Sequence, residues 1–109
     1  MTRQEVYETL VVPALVERFQ LLPEEISFNS HFKNDLKLDS LDLVDFLCEV
    51  EDMYDGNIVL DKSEENTKAI YEAARGTVGN IVDVLLIIIN YFFHFQSLTD
   101  KRLQYNQFT

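Results

Sequence analysis

The sequence predicts an all-α fold. Apolar residues recur at three- and four-residue intervals along several stretches, and residues able to cap a helix stand at the starts of those stretches. Only three glycines and two prolines occur in 109 residues, which leaves little room for the many tight turns of an all-β chain. Hydrophobic residues make up 47% and charged residues 26%, an ordinary globular balance at a length that fits one domain with one core.

The first helix is predicted over 3–19. Thr2 followed by Glu5 has the pattern of a capping box, and Val6, Leu10, Ala14 and Val16 to Phe19 follow at helical spacing. Pro13 lies inside that pattern. It has no N–H to donate and crowds the preceding turn, so a kink or an early break is expected there. Residues 21–37 read as a long connection. Pro23, Asn29, Ser30 and Asn34 interrupt any periodicity, while Ile26, Phe28 and Phe32 offer apolar anchors. A loop of this length either packs on the domain or carries function.

The clearest helix covers 40–54. Asp39 stands where it can cap it, and Asp42 adds negative charge to the first turn. Leu43, Phe46, Leu47, Val50 and Tyr54 form an apolar stripe, with Asp42, Asp45, Glu49 and Asp52 on the polar side and Asp55-Gly56-Asn57 as the stop. Ser63, with Glu65 and Asn66 after it, starts a further helix that runs to Arg75 with Ile70, Ala73 and Ala74 facing inward, and Gly76 ends it. Thr77 caps the last helix, which holds Val78, Ile81, Val82, Leu85, Leu86 and Ile89. Tyr91, Phe92, Phe93 and Phe95 then open a tail. The chain divides into a domain over 1–89 and an extension over 90–109, packed on the domain or binding a partner. Residues 81–95 are nearly all apolar but shorter than the roughly 18–20 residues that span a bilayer, and they include Asp83 and Asn90. A buried helix with an aromatic tail is expected, not a transmembrane segment.

The net charge is −10, which disfavours nucleic acid and anionic membrane surfaces and favours a basic protein partner. The charge is not spread evenly. From Asp35 to Asp61 there are nine carboxylates and one base, Lys37, so this segment carries eight of the ten net negative charges. With one cysteine, Cys48, no internal disulfide can form, and the N-terminal residues lack the apolar core of a signal peptide, so a reducing cytoplasm is the expected location. Cys48 falls mid-helix and is expected to be a small packed side chain. His31 and His94 have no partner at metal-ligand spacing. Around Gly56 a calcium loop would need a bidentate acid where Lys62 stands, which defeats the site. No nucleophile–base constellation and no glycine-rich phosphate loop occurs, so the chain is not expected to be an enzyme.

The informative stretch is Phe32-Lys33-Asn34-Asp35-Leu36-Lys37-Leu38-Asp39-Ser40-Leu41-Asp42. It places a serine hydroxyl at the start of a helix, where a phosphate ester would lie near free backbone N–H groups and the positive end of the helix dipole. The stretch resembles the phosphopantetheine attachment site of acyl carrier proteins, F-x-x-D-L-x-x-D-S-L. Phe32, Asp35, Leu36, Asp39, Ser40 and Leu41 fill every fixed position of that pattern. The resemblance runs from about Glu5 to about Leu86. Pro23-Glu24-Glu25-Ile26 is similar to the family's acidic turn after its first helix, and Thr77-Val78 with Ile81 and Leu85 to the start of its last.

The resemblance implies a four-helix bundle with a long loop between helices 1 and 2 and a short third helix. It implies that a phosphopantetheinyl transferase moves 4′-phosphopantetheine from coenzyme A onto Ser40, and that the arm's thiol then carries acyl groups. Basic patches on acyl-transferring or condensing enzymes would dock on Asp39, Asp42, Asp45, Glu51 and Asp52. Leu41, Leu47 and Ile58 stand where the family makes apolar partner contacts or lines its acyl pocket. Three features depart from the family: a longer segment from Ile58 to Val78, Val59 in place of a usual proline, and the aromatic tail. They leave the cargo and pathway open among fatty acid, lipid and secondary-metabolite biosynthesis. A carrier of aminoacyl or D-alanyl groups, and a non-catalytic helical adaptor of the same fold, stand as alternatives.

Overall fold

A computed structural model describes residues 1–53 and 64–90. The chain begins with α1 (Arg3–Val6), a π-helical turn (Tyr7–Val11) and α2 (Val12–Phe19), which follow one another without a break. A 3₁₀ turn (Pro23–Glu25) is the one helical piece of the loop that follows, and α3 (Ser40–Met53) comes next. After α4 (Glu64–Ala73), α5 runs from 78 through 90. The described residues form an all-α bundle. Expectations about Tyr54, about the link through Ile58 and about the aromatic residues of the tail lie outside them.

The N-terminus begins as the sequence predicts. The Thr2 hydroxyl accepts from the Glu5 N–H at 3.2 Å, and the Glu5 carboxylate accepts from the Thr2 N–H at 3.3 Å. At Pro13 the helix neither breaks nor ends. Instead the turn before it widens, and the Val12 N–H bonds to the Tyr7 carbonyl, five residues back. An α-helical register would ask Pro13 for a bond to Thr9 that it cannot donate, and would press its ring on that carbonyl. The π turn relieves both, and the helix continues to Gln20, whose left-handed backbone (φ 58°) closes it.

The core gathers one face of every helix. Val6, Leu10, Val11, Ala14 and Leu15 come from the first column, and Leu43, Phe46 and Val50 from α3. Ile70 and Ala73 come from α4, and Val78, Ile81, Val82, Leu85, Ile88 and Ile89 from α5. α3 packs on α2 and on the π turn. Phe32 and Phe46 meet edge to face, with centroids 6.3 Å apart.

The loop is held to the start of α5. The Phe32 N–H donates to the Gly76 carbonyl (3.0 Å), Val78 to Ser30 (2.8 Å) and Gly79 to Phe28 (2.9 Å), with an antiparallel bridge between His31 and Thr77. Gly79 is required here, since a Cβ at this position would lie 3.0 Å from the Phe28 carbonyl oxygen. Thr77 and Asn80 cap α5 reciprocally, each side chain accepting from the other's backbone N–H, at 3.3 and 2.9 Å. Ile26 and Phe32 are buried, as anchors should be. Phe28 is half-buried, stacked on Tyr7 at 4.1 Å with the Arg3 guanidinium above it at 4.4 Å. Arg3 also pairs with Asp83 at 2.6 Å. The Tyr7 hydroxyl donates to the Ile26 carbonyl (3.1 Å), and burial, helped by the charge of Glu8, pushes this phenol's pKa above its ordinary value. The loop thereby delivers Asp39 and Ser40 at the rim of the bundle.

Candidate functional site

Ser40 is the first residue of α3, and its side chain is exposed. The segment before it is tightly wound. Asp35 and Leu36 both donate to the His31 carbonyl, Lys37 donates to Lys33, and Leu38 donates to Phe32. Leu36 and Leu38 point into the core, so the chain is fixed on the bundle just upstream of the serine. Lys37 adopts a left-handed backbone conformation (φ 62°), a geometry that favours glycine.

The helix start is fixed by two aspartates. The Asp39 carboxylate accepts from the Asp42 N–H, and the Asp42 carboxylate accepts from the Asp39 N–H, both at 2.9 Å. This is the reciprocal geometry of a capping box with aspartate at both ends. The bond from the Asp42 backbone holds the Asp39 carboxyl below its ordinary pKa, against a smaller opposing effect of desolvation. Ser40 and Leu41 are enclosed in this box, so the hydroxyl projects from a backbone fixed on both sides.

The outward face of α3 carries an apolar seam with carboxylates beside it. Leu41 is 75% exposed and Val44 45%, and Cys48 is exposed as well. Their spacing of three and four residues places them on one side. Asp45 and Asp52 lie along the same side. The expectation that Cys48 is packed is corrected. Leu43, Phe46 and Val50 take the core face, and a residue two beyond Phe46 turns to solvent. Leu47 is half-buried and packs on the core, so the structure separates it from Leu41. Asp39 and Asp52 are exposed, and Asp42, Asp45, Glu49 and Glu51 are half-buried; Ile58 lies outside the described residues.

Two members of this face were not singled out from the sequence. Val44 stands three residues after Leu41, so a helical projection would have found it. Arg18, in the last turn of α2, reaches Asp45 with Nη2 3.4 Å from Oδ1. These residues are far apart in the chain, and no local pattern signals their meeting. Among the described residues there is no cluster of His, Cys, Asp and Glu able to hold a metal ion, and no helix long and apolar enough to cross a membrane.

The chain is similar to the acyl carrier protein of Amoebophilus asiaticus, with 33% identity over 75 residues, covering 69% of this chain and 82% of that one. It is similar also to the acyl carrier proteins of Lactobacillus acidophilus and Lactobacillus johnsonii, each 31% identical over 65 residues, covering 60% of this chain and 80% of theirs. No family model matches the chain, and no solved structure matches it significantly. A helical bundle, a serine exposed at the mouth of an acidic helix, and identity above 30% across most of a curated relative agree: the chain belongs to the acyl carrier protein family, whose members carry acyl groups and do not catalyse.

Proposed function

We propose that Ser40 bears 4′-phosphopantetheine and that the protein carries acyl intermediates for fatty acid, lipid or secondary-metabolite biosynthesis. The observation that carries this reading is the exposed Ser40 inside the Asp39–Asp42 box, within a sequence that fills every fixed position of the attachment pattern. The residues fit the group. The hydroxyl is open to a large donor, and a phosphodiester there would lie against the first N–H groups of a 14-residue helix. When bound, the arm supplies a thiol that holds an acyl group as a thioester.

In loading, the Ser40 oxygen forms a bond to phosphorus of coenzyme A, its proton passes to a base of the transferase, and the nucleotide half of coenzyme A leaves. The box fixes the backbone on either side of the hydroxyl, so little conformational entropy is lost when the serine enters a partner's site. Leu41, Val44 and Cys48 present a narrow apolar seam, and Asp45, Glu51 and Asp52 surround it with charge suited to a basic patch on the transferase or on an acyl-transferring or condensing enzyme. Asp39 and Asp42 contribute charge there while serving the cap. Leu47, packed inward, suits the lining of an acyl chain better than partner contact. In this reading residues 1–89 are the carrier unit and 90–109 an extension of it, and a reducing cytoplasm suits the arm's free thiol.

Intact-mass measurement after co-expression with a broad-specificity phosphopantetheinyl transferase tests the proposal. The wild type should gain the mass of one phosphopantetheine, and Ser40→Ala should gain nothing. A wild-type protein that no such transferase modifies would end the carrier reading.

A further inference from the structure

We infer that Arg18 masks part of the docking face of α3, so that a partner's basic group must compete with an intramolecular cation before it gains Asp45. The inference rests on the reading that this face docks basic partners. Asp45 stands four residues after Leu41 and three before Cys48, on the seam itself, and Asp52 lies two turns further along the same side. Arg18 reaches Asp45 from the last turn of α2 through one N–O contact of 3.4 Å, with each side chain about half exposed (49% and 50%).

A single, half-solvated contact of this kind contributes little to the fold and is easily opened. Its effect on docking is larger in proportion, because it acts twice. While closed, it neutralises the carboxylate at the centre of the face. Once opened, the guanidinium stays tethered nearby and repels the arriving cation. Among the described residues no ion pair engages Asp42, Glu49, Glu51 or Asp52. Those acids attract a basic partner from a distance, and Asp45 is gained only at contact.

The test is the rate of loading by a broad-specificity phosphopantetheinyl transferase with coenzyme A in excess, at low salt. Arg18→Gln should raise kcat/KM about 1.4- to fivefold, the range that the measured worth of exposed ion pairs converts to. The gain should appear in KM, because the chemistry at Ser40 is untouched, and should fade as salt rises. Arg18→Lys should load at the wild-type rate. Asp45→Asn should slow the Arg18→Gln protein more than it slows the wild type. Melting curves establish that each variant is folded. Arg18→Gln loading at or below the wild-type rate while folded would overturn the inference, as would Asp45→Asn slowing both backgrounds equally. If loading responds to salt and to Asp52→Lys but not to Arg18→Gln, only the masking fails. If the wild type is not loaded at all, the carrier reading falls and the inference with it.

Discussion

The corner where α1 meets α5 and the outward face of α3 are both built from charged and bulky side chains, yet they use them in opposite ways. At the corner, Arg3 is engaged by Asp83 at 2.6 Å and lies over Phe28, Phe28 stacks on Tyr7, and the Tyr7 hydroxyl donates to Ile26. On α3, Leu41 and Cys48 face solvent, and the carboxylates beside them have one weak cationic partner among the described residues. Groups satisfied within the chain make a scaffold. Groups left open to solvent make, in the proposed reading, a recognition surface. The difference lies in their partners and not in their composition.

Substitutions can break that contrast or sharpen it. The largest effect is expected on the inner side of α3, where Phe46 is fully buried. Phe46→Ala should cost about 3–5 kcal/mol in urea unfolding, although it lies on the same helix as the apolar seam proposed for docking. At the corner, Gly79→Ala would set a methyl 2.9 Å from Arg3 Nη2 and 3.0 Å from the Phe28 carbonyl. The arginine tip can move but the backbone cannot, so a loss of about 1–3 kcal/mol is expected from the same measurement. Lys37→Gly should act in the opposite direction, raising stability by about 1 kcal/mol, because glycine relieves the left-handed backbone at φ 62°. On the outward face, Asp52→Lys should leave stability within about 0.5 kcal/mol while slowing loading of Ser40 in a salt-dependent way. Asp42 makes a poorer probe of docking, because its carboxylate also caps the Asp39 N–H.

The smallest effect is one of pH. Asp39's carboxyl is held below its ordinary pKa chiefly by the Asp42 backbone N–H. Its contribution to stability is therefore present above the unfolded carboxylate pKa, near 4, and is lost as pH falls through the lower folded value. The melting temperatures of the wild type and Asp39→Ala should differ at pH 7 and converge in acid. A gap that stays constant down to pH 2 would show that the carboxylate's charge plays no part in the cap.

Much of this was legible in the sequence because it is local. The start of α3, its cap, its buried residues Leu43, Phe46 and Val50, and the start of α5 all follow from residues within four positions of one another. The loop anchors Ile26 and Phe32 were legible as isolated apolar residues in a polar run, but their partners were not. The Phe28–Gly79 and Phe32–Gly76 bonds join segments distant in sequence. Cys48 was misread because it lies mid-helix beside an apolar run, where chemistry suggested burial and helical phase decides exposure. Arg18 was missed because its partner comes from another helix. At Pro13 a kink or an early break was expected, and the π turn found in its place depended on packing that no local rule contains.

That outcome has a consequence for angular phase. In an unbroken α-helix, Leu10, Val11, Ala14 and Leu15 would centre on a direction about 110° away from Val6. All five are nonetheless buried in one core. The π turn between Val6 and Val12 takes up about one extra residue and so turns the start of the helix back into line with its end. Removing a single residue, such as Thr9, would restore an ordinary register for the turn. It would leave Val6 in phase with the four, because one residue fewer takes about 100° from that offset, but it would set the Pro13 ring against the carbonyl four residues back. The surplus residue thus lets a proline sit inside the first helix without turning Val6 off the core, and the turn should accept the loss of one residue only where Pro13 is replaced as well.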